Sequence, residues 1–247
     1  MLHEMHLIQM DGALHNVPLP EEFSGQILDI GTGTGRWCRD MGDTYPASII
    51  RGVDLSPTQS EWIPPNVFFE VDDVEADWTY TTKFDYIHCR SMTGSIRDWP
   101  SLTAQCYSSL KPGGWVEFAE WHYEPFLPNG IPDKRNNDVV RWHGIMNTCL
   151  EEAGITAKPG PDLTKWIKDA GFGEMEELVF NVPIGRWPKD PKLKQVGQWY
   201  MASLSVGLEG ISLRTFTQVA GMSLEEVHVT NAKFRQSMKD IRFYHKL

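Results

Sequence analysis

The chain has 247 residues, 41% of them hydrophobic, and a formal net charge of -10. That length can bury one full core, and that charge repels phosphate backbones and anionic lipid headgroups, so neither nucleic acid nor a membrane surface is expected as a partner. Cys38, Cys89, Cys106 and Cys149 have neither metal-ligand spacing nor the density of a disulfide scaffold, so no metal is expected and a reducing compartment is.

Residues Met1 to Met10 carry His3, Glu4 and His6 and do not read as a secretory signal. No later stretch approaches the roughly 20 apolar residues of a bilayer span, which points to the cytoplasm, with the nucleus as the alternative. The first strand is Gln26 to Ile30, an apolar run that enters a glycine-rich turn, and Thr34 to Met41 opens a helix. Ser48 to Val53 is a second strand ending at Asp54, Val67 to Val71 a third ending at Asp72 and Asp73, and Phe84 to His88 a fourth. Leu102 to Leu110 has helical spacing, Lys111-Pro112-Gly113-Gly114 stops it, and Trp115 to Ala119 is a fifth strand. Alternating strands and helices predict a parallel α/β sheet.

From Trp121 to Pro161 the pattern is irregular, with Pro125, Pro128, Pro132, Pro159 and Pro161 around one helix near Asp138 to Ala153. Beyond it come a helix from Asp162 to Ala170 closed by Gly171, a strand over Met175 to Val182, and helices over Pro188 to Val206 and Ser223 to Asp240. Ser223 with Glu226 three residues on is a capping-box pattern. One domain over 1–247 is expected: a ligand-binding half over 1–120, with 121–160 and 186–240 as helices covering the substrate side.

The sharpest motif is Leu28-Asp29-Ile30-Gly31-Thr32-Gly33-Thr34-Gly35 between a strand and a helix. Glycine permits positive φ and a close approach of backbone to ligand, and the helix start offers unpaired N–H groups. A dinucleotide fingerprint would need glycine at position 36, which is Arg36, so a nicotinamide cofactor is disfavoured. Asp54 stands 23 residues after Gly31 at the next strand end, placed to accept from both ribose hydroxyls. Asp72-Asp73-Val74 ends the third strand within reach of an adenine amino group. Three acidic strand ends beside one glycine turn indicate a nucleoside ligand.

These segments resemble the class I S-adenosylmethionine-dependent methyltransferases, and among them the fungal LaeA-like group. The resemblance is carried by Leu28 to Gly35, Gly52-Val53-Asp54-Leu55-Ser56-Pro57, Trp62-Ile63-Pro64-Pro65-Asn66-Val67, Phe84-Asp85-Tyr86-Ile87-His88, Gly94-Ser95-Ile96-Arg97-Asp98-Trp99-Pro100 and Leu110-Lys111-Pro112-Gly113-Gly114-Trp115. It implies a Rossmann-like seven-stranded sheet in the order 3-2-1-4-5-7-6 with helices on both faces and a helical cap. It implies S-adenosylmethionine or S-adenosylhomocysteine as the ligand, with Asp29, Gly31, Thr32 and Gly33 at its methionine end and Asp54 and Leu55 at the ribose. Asp73 and Val74 fall at the adenine, with Asp72 as the alternative carboxylate, and Arg90 falls near the cofactor or in a surface ion pair.

Two departures follow from that resemblance. Only about two dozen residues precede the glycine turn, so the lid that relatives build there is shortened or supplied otherwise. The chain ends at Tyr244-His245-Lys246-Leu247, so the final antiparallel strand is very short, or a second copy or partner chain completes the sheet. Methyl transfer is an in-line displacement on an activated electrophile, for which the protein supplies alignment and, for a hydroxyl or nitrogen acceptor, a base. His122, which follows the fifth strand, is the first candidate, ahead of His88, His143 and Glu120. The expected acceptor is a small, largely apolar, secondary-metabolite-like molecule, with Trp121, Trp142, Trp187, Trp199 and Met201 as pocket lining. The alternatives are a protein acceptor, a cofactor-binding regulatory or partner subunit that does not methylate, and a cyclase or isomerase on the same fold.

Overall fold

The computed structural model describes residues 1–127, 137–240 and 242–247. Pro128 and Pro132 lie outside the described residues. Five strands, β1 (Gln26–Ile30), β2 (Ile49–Asp54), β3 (Val67–Val71), β4 (Phe84–Arg90) and β5 (Leu110–Ala119), form a parallel sheet in the order β3-β2-β1-β4-β5. β1 lies centrally, with Asp29 opposite Gly52 on one side and His88 on the other. Its residues Ile27 to Ile30 are all buried, as a strand covered on both faces requires.

Each face has its own core. Ile27, Ile50, Val67 and Tyr86 pack against Trp37, Cys38 and Met41 of helix α2 (Arg36–Thr44). Leu28, Ile30, Val53, Ile87 and Cys89 pack on the other face with Trp99, Leu102 and Cys106 of α3 (Trp99–Ser109) and with Leu163 of α5 (Gly160–Ala170). All four cysteines are buried thiols. No helix among the described residues is long and apolar enough to cross a membrane.

The last strands differ from the expected single sheet. After Glu120 and Trp121 the chain re-enters extended structure as β6 (His122–Phe126), and β8 (Phe243–Lys246) lies antiparallel between β6 and β7 (Asn181–Ile184) in a separate three-stranded sheet. The expected continuation 5-7-6 of one sheet is thus replaced by a second sheet in the order β6-β8-β7, after a break at which Glu120 and Trp121 are buried. The final strand is present and short. Of the strand expected over Met175 to Val182, only the end joins a ladder; the stretch before Phe180 is mostly exposed and includes Glu174, Glu176 and Glu177.

The cap is helical. Helix α1 (Leu2–Gln9), α4 (Asp138–Glu152), α6 (Pro191–Gln218) and α7 (Leu224–Asp240) enclose a third core with Met5, Trp142, Tyr200, Leu208, Phe216 and Phe234. α6 runs 28 residues, well past the expected end at Val206. Leu204, Leu208, Ser212 and Phe216 repeat every four residues on its buried face, and burial of that stripe outweighs the cost of about 1 kcal/mol for each of Gly207 and Gly210.

Candidate active site

The glycine turn is a set of left-handed residues: Gly31, Gly33 and Gly35 have φ of 68°, 55° and 73°. A Cβ on Gly31 would run into the Met92 sulfur and one on Gly35 into the Phe69 ring, whereas one on Gly33 would meet no protein atom within 4 Å. Gly33 is therefore the position where the backbone is open to a ligand, while Gly31 and Gly35 are glycine for close packing. Thr32 is buried, with its amide donating to the Val53 carbonyl (2.9 Å) and its hydroxyl 3.3 Å from Cys38 Sγ.

Asp54, at the end of β2, accepts from the amides of Gly33 (2.8 Å) and Ser56 (3.0 Å), one on each oxygen. A carboxylate has about four acceptor positions, so two remain for outside donors. Leu55 beside it is 70% exposed. Asp72 and Asp73 lie exposed at the end of β3, next to Asp54 in the sheet. Asp72 accepts the Asp73 amide (2.8 Å) and Asp73 the Glu75 amide (2.9 Å). Val74 is half-buried, its carbonyl taken by the Trp78 indole N–H (2.9 Å). Asp54, Leu55, Asp72, Asp73 and Val74 thus share one end of two neighbouring strands.

Asp29 is placed differently from what its motif suggests. It is buried, with Oδ1 2.7 Å from His88 Nδ1 and Oδ2 accepting from Cys38 Sγ at 3.3 Å. His88 stacks flat on Trp37, ring centroids 3.8 Å apart. Asp29 therefore orders the strand ends beneath the turn. Two residues further along β4, Arg90 donates to His3 Nδ1 (3.1 Å), and His3 Nε2 pairs with Asp40 (2.8 Å). Arg90 has no carboxylate within ion-pair distance among the described residues, and burial lowers its pKa. His6, one turn on from His3, is 2% exposed with Nε2 lacking any hydrogen-bond partner; burial first, then the Arg90 charge, depress its pKa. The short helix α1 and its two histidines were missed from sequence; the available signal was His3 and His6 at i, i+3 on one helical face.

Glu120 is buried at the break after β5 and takes the amides of Met92 (2.9 Å) and Thr93 (2.7 Å) and the Thr93 hydroxyl (2.7 Å). Desolvation raises its pKa to about 7 against these hydrogen bonds. His122 lies on β6, 3.6 Å from Glu124, which Lys158 also approaches at 3.3 Å; burial lowers its pKa. A cavity of about 1220 Å³ is lined at one end by His6, His88, Arg90, Glu120 and His122 and extends along β5 past Leu163, Ile167 and Phe172. The expected aromatic lining is elsewhere: Trp121 stacks on Tyr200 at 4.5 Å, Trp142 is core, and Trp199 is 38% exposed. Trp187 and Met201 are also absent from the residues lining the cavity. His143 is equally remote, bonded to the Val139 carbonyl inside the cap with its pKa pushed down to about 4 by burial.

A sequence profile described as a methyltransferase domain matches residues 2–176. The chain belongs to the S-adenosylmethionine-dependent methyltransferase family. Methyltransferase pytC of Aspergillus terreus is 42% identical over 237 residues, covering 96% of this chain and 72% of that protein. The secondary metabolism regulator LAE1 of Cochliobolus heterostrophus is 35% identical over 247 residues, covering 97% and 78%. In fold alone, the chain is similar to the cyclopropane synthase MmaA2 from Mycobacterium tuberculosis, with a TM-score of 0.61 at 14% identity over 100% of this chain and 85% of that one.

The donors and acceptors of this methyltransferase suit its cofactor. Spare acceptor positions on Asp54 match a ribose diol, the open face of Gly33 admits a ligand against the backbone, and Arg90 beside the unpartnered His6 nitrogen matches a carboxylate. Asp29 and Thr32 are the two expected contacts that the fold buries, so they shape the turn from behind.

Proposed function

We propose that this methyltransferase acts on a small, largely apolar acceptor of the secondary-metabolite kind. The observation that carries this reading is the cavity lined by His88, Arg90, Glu120 and His122 together with the apolar side chains of Leu163, Ile167 and Phe172, with Lys111, Glu117, Glu174, Glu176 and Glu177 also on its wall. In this reading Asp54 and Leu55 hold the ribose, Val74 covers the base, and Asp73 or, alternatively, Asp72 accepts from its amino group. Gly33 lets the backbone approach the methionine portion, Gly31 packs that turn on Met92, Asp29 and Thr32 brace it, and Arg90 takes the carboxylate. Bound there, the cofactor supplies an activated methyl group.

The remaining work falls to alignment and proton removal. His122 is neutral above its lowered pKa and so can accept a proton from a hydroxyl or nitrogen acceptor, with Glu124 steadying the ring. Residues 121–160 and 186–240 form the substrate-side cap, and α1 closes the same end through His3 and His6. A homodimer or partner chain would pair along an open sheet edge, at β3 or the outer side of β5. A second reading is a cofactor-binding regulator that does not turn over; the name of LAE1, a secondary metabolism regulator, supports its regulatory part alone.

Calorimetric titration with S-adenosylhomocysteine tests the site. Asp54→Ala should weaken binding by about 1–3 kcal/mol, the cost of leaving buried hydroxyls unpaired. Unchanged affinity would remove the adenosyl assignment. Incubation with labelled cofactor and metabolite extracts then separates the two readings. Label in a small product supports the first, and binding with no labelled product supports the second. His122→Ala should slow transfer by about 10²- to 10⁴-fold at unchanged cofactor affinity.

A further inference from the structure

The turn that follows β4 is held in an uncommon conformation. Ser91 has φ of 61°, a left-handed value that costs a non-glycine residue energy, and Gly94 follows at 89°. Three contacts over-determine the strained residue and its neighbours. The Ser91 amide donates to the Ala119 carbonyl (3.0 Å), the Trp121 indole donates to Ser91 Oγ (3.0 Å), and the Thr93 hydroxyl lies 3.1 Å from the Trp121 carbonyl. Glu120 sits between these, its two oxygens shared among Met92 N, Thr93 N and Thr93 Oγ1, with Cys89 Sγ at 3.8 Å. Met92, between the two clamped amides, lays its sulfur against Gly31.

We propose that Glu120 is a positioning residue for methyl transfer. By gripping the Met92 and Thr93 amides it fixes the 91–94 turn and so sets the Met92 side chain against the base of the glycine loop. The proposal rests on the reading above that this loop holds the cofactor. Glu120 does not serve as the base, because its oxygens are already committed to the turn.

The grip depends on ionisation. A carboxylate offers only acceptors; once it is protonated, its O–H must face either an amide, which it then releases, or the Thr93 hydroxyl, whose own proton then goes to the Trp121 carbonyl, so one donor bond to Glu120 is lost either way. The titratable groups packed directly on Glu120 are the Cys89 thiol from β4 and the Tyr123 phenol from β6, while His6 of α1, His88 and Arg90 of β4 and His122 of β6 share its end of the cavity. Burial keeps the thiol and the phenol neutral, so neither adds a second negative charge beside the carboxylate. With a pKa near 7, raised by desolvation, the turn is fixed above pH 7 and loosens below it.

The test uses the full chain carrying methyl-13C methionine, with S-adenosylhomocysteine as the probe. Only about a tenth of Glu120 is ionised one unit below its pKa, so affinity should fall about 10-fold between pH 8 and pH 6. The Met92 methyl resonance, assigned by its loss in Met92→Leu, should move over the same range. Glu120→Gln, fixed in the neutral-like state, should bind weakly at both pH values with the Met92 signal at its low-pH position. Thr93→Ser, which keeps the hydroxyl, should behave as the parent. A Met92 signal that stays still from pH 8 to pH 6 in the parent overturns the proposal without needing any variant to fold. So does a Glu120→Gln protein that keeps the parent's affinity and pH profile. If Asp54→Ala also leaves affinity unchanged, the cofactor-site reading itself has failed; if Asp54→Ala loses affinity, only the Glu120 proposal has.

Discussion

Gly31 and Gly33 sit two residues apart in one turn, yet they are glycine for different reasons. Alanine at either must take a left-handed φ, at about 1–2 kcal/mol. At Gly31 the added methyl would also displace Met92, whereas at Gly33 it would project where no protein atom lies. Gly33→Ala should therefore lower stability by about 1–2 kcal/mol in urea titration, and Gly31→Ala by more than that. Gly31→Ala alone should shift the Met92 methyl resonance, and a shift in Gly33→Ala would mean that the turn moves as a unit. Asp54 was legible in the sequence because it ends a strand at a fixed distance from the turn. The inward partners of Asp29 were not, because His88 and Cys38 reach it only through sheet register and helix packing.

Among the elements, the end of α5 and the capping box of α7 came out as expected, whereas α3 starts at Trp99, before the expected Leu102, and β5 takes in the expected stop Lys111 to Gly114. Asp98 caps α3 by accepting the Ser101 amide (2.8 Å), and Gly171 ends α5 at φ 108°. The capping box at α7 is formed in both directions: Ser223 N donates to Glu226 (2.8 Å) and Glu226 N to Ser223 Oγ (3.2 Å). Ser223→Ala should cost about 1 kcal/mol in a urea titration while leaving S-adenosylhomocysteine affinity as it was, since this helix end lies in the cap. A larger loss would show that α7 supports more than its own first turn. The elements that sequence missed, α1 and β6, are short and form by packing. α1 buries Met5 in the cap core, and β6 exists because β8 pairs with it.

Across the whole molecule, buried ionisable groups pull stability in opposite directions with pH. His6, His143 and His245 are held neutral in the fold, so the unfolded chain takes up protons first as pH falls below 6.5 and stability drops; for His143, with a pKa of about 4, the loss is up to about 3 kcal/mol. Glu120 acts the other way: its folded pKa of about 7 stands above the unfolded 4.5, so it adds stability as pH falls through that window, again by about 3 kcal/mol at most. One histidine offsets the carboxylate and two remain, so the urea midpoint should be lower at pH 5 than at pH 7.5, and lower still at pH 5 in Glu120→Gln relative to its own value at pH 7.5. A midpoint that rises on acidification would show that the histidines are hydrated. The parallel sheet, the glycine-rich turn and the methyltransferase family were all determined by the sequence alone, because periodicity, glycine spacing and strand-end carboxylates act over a few residues. The break after β5, the helix that brings His3 to Arg90, and the grip of Glu120 on the turn after β4 were decided only by tertiary structure. The last two join residues 87 and 27 positions apart, and a buried charge selects its partners from the groups that the packed fold brings into hydrogen-bond distance.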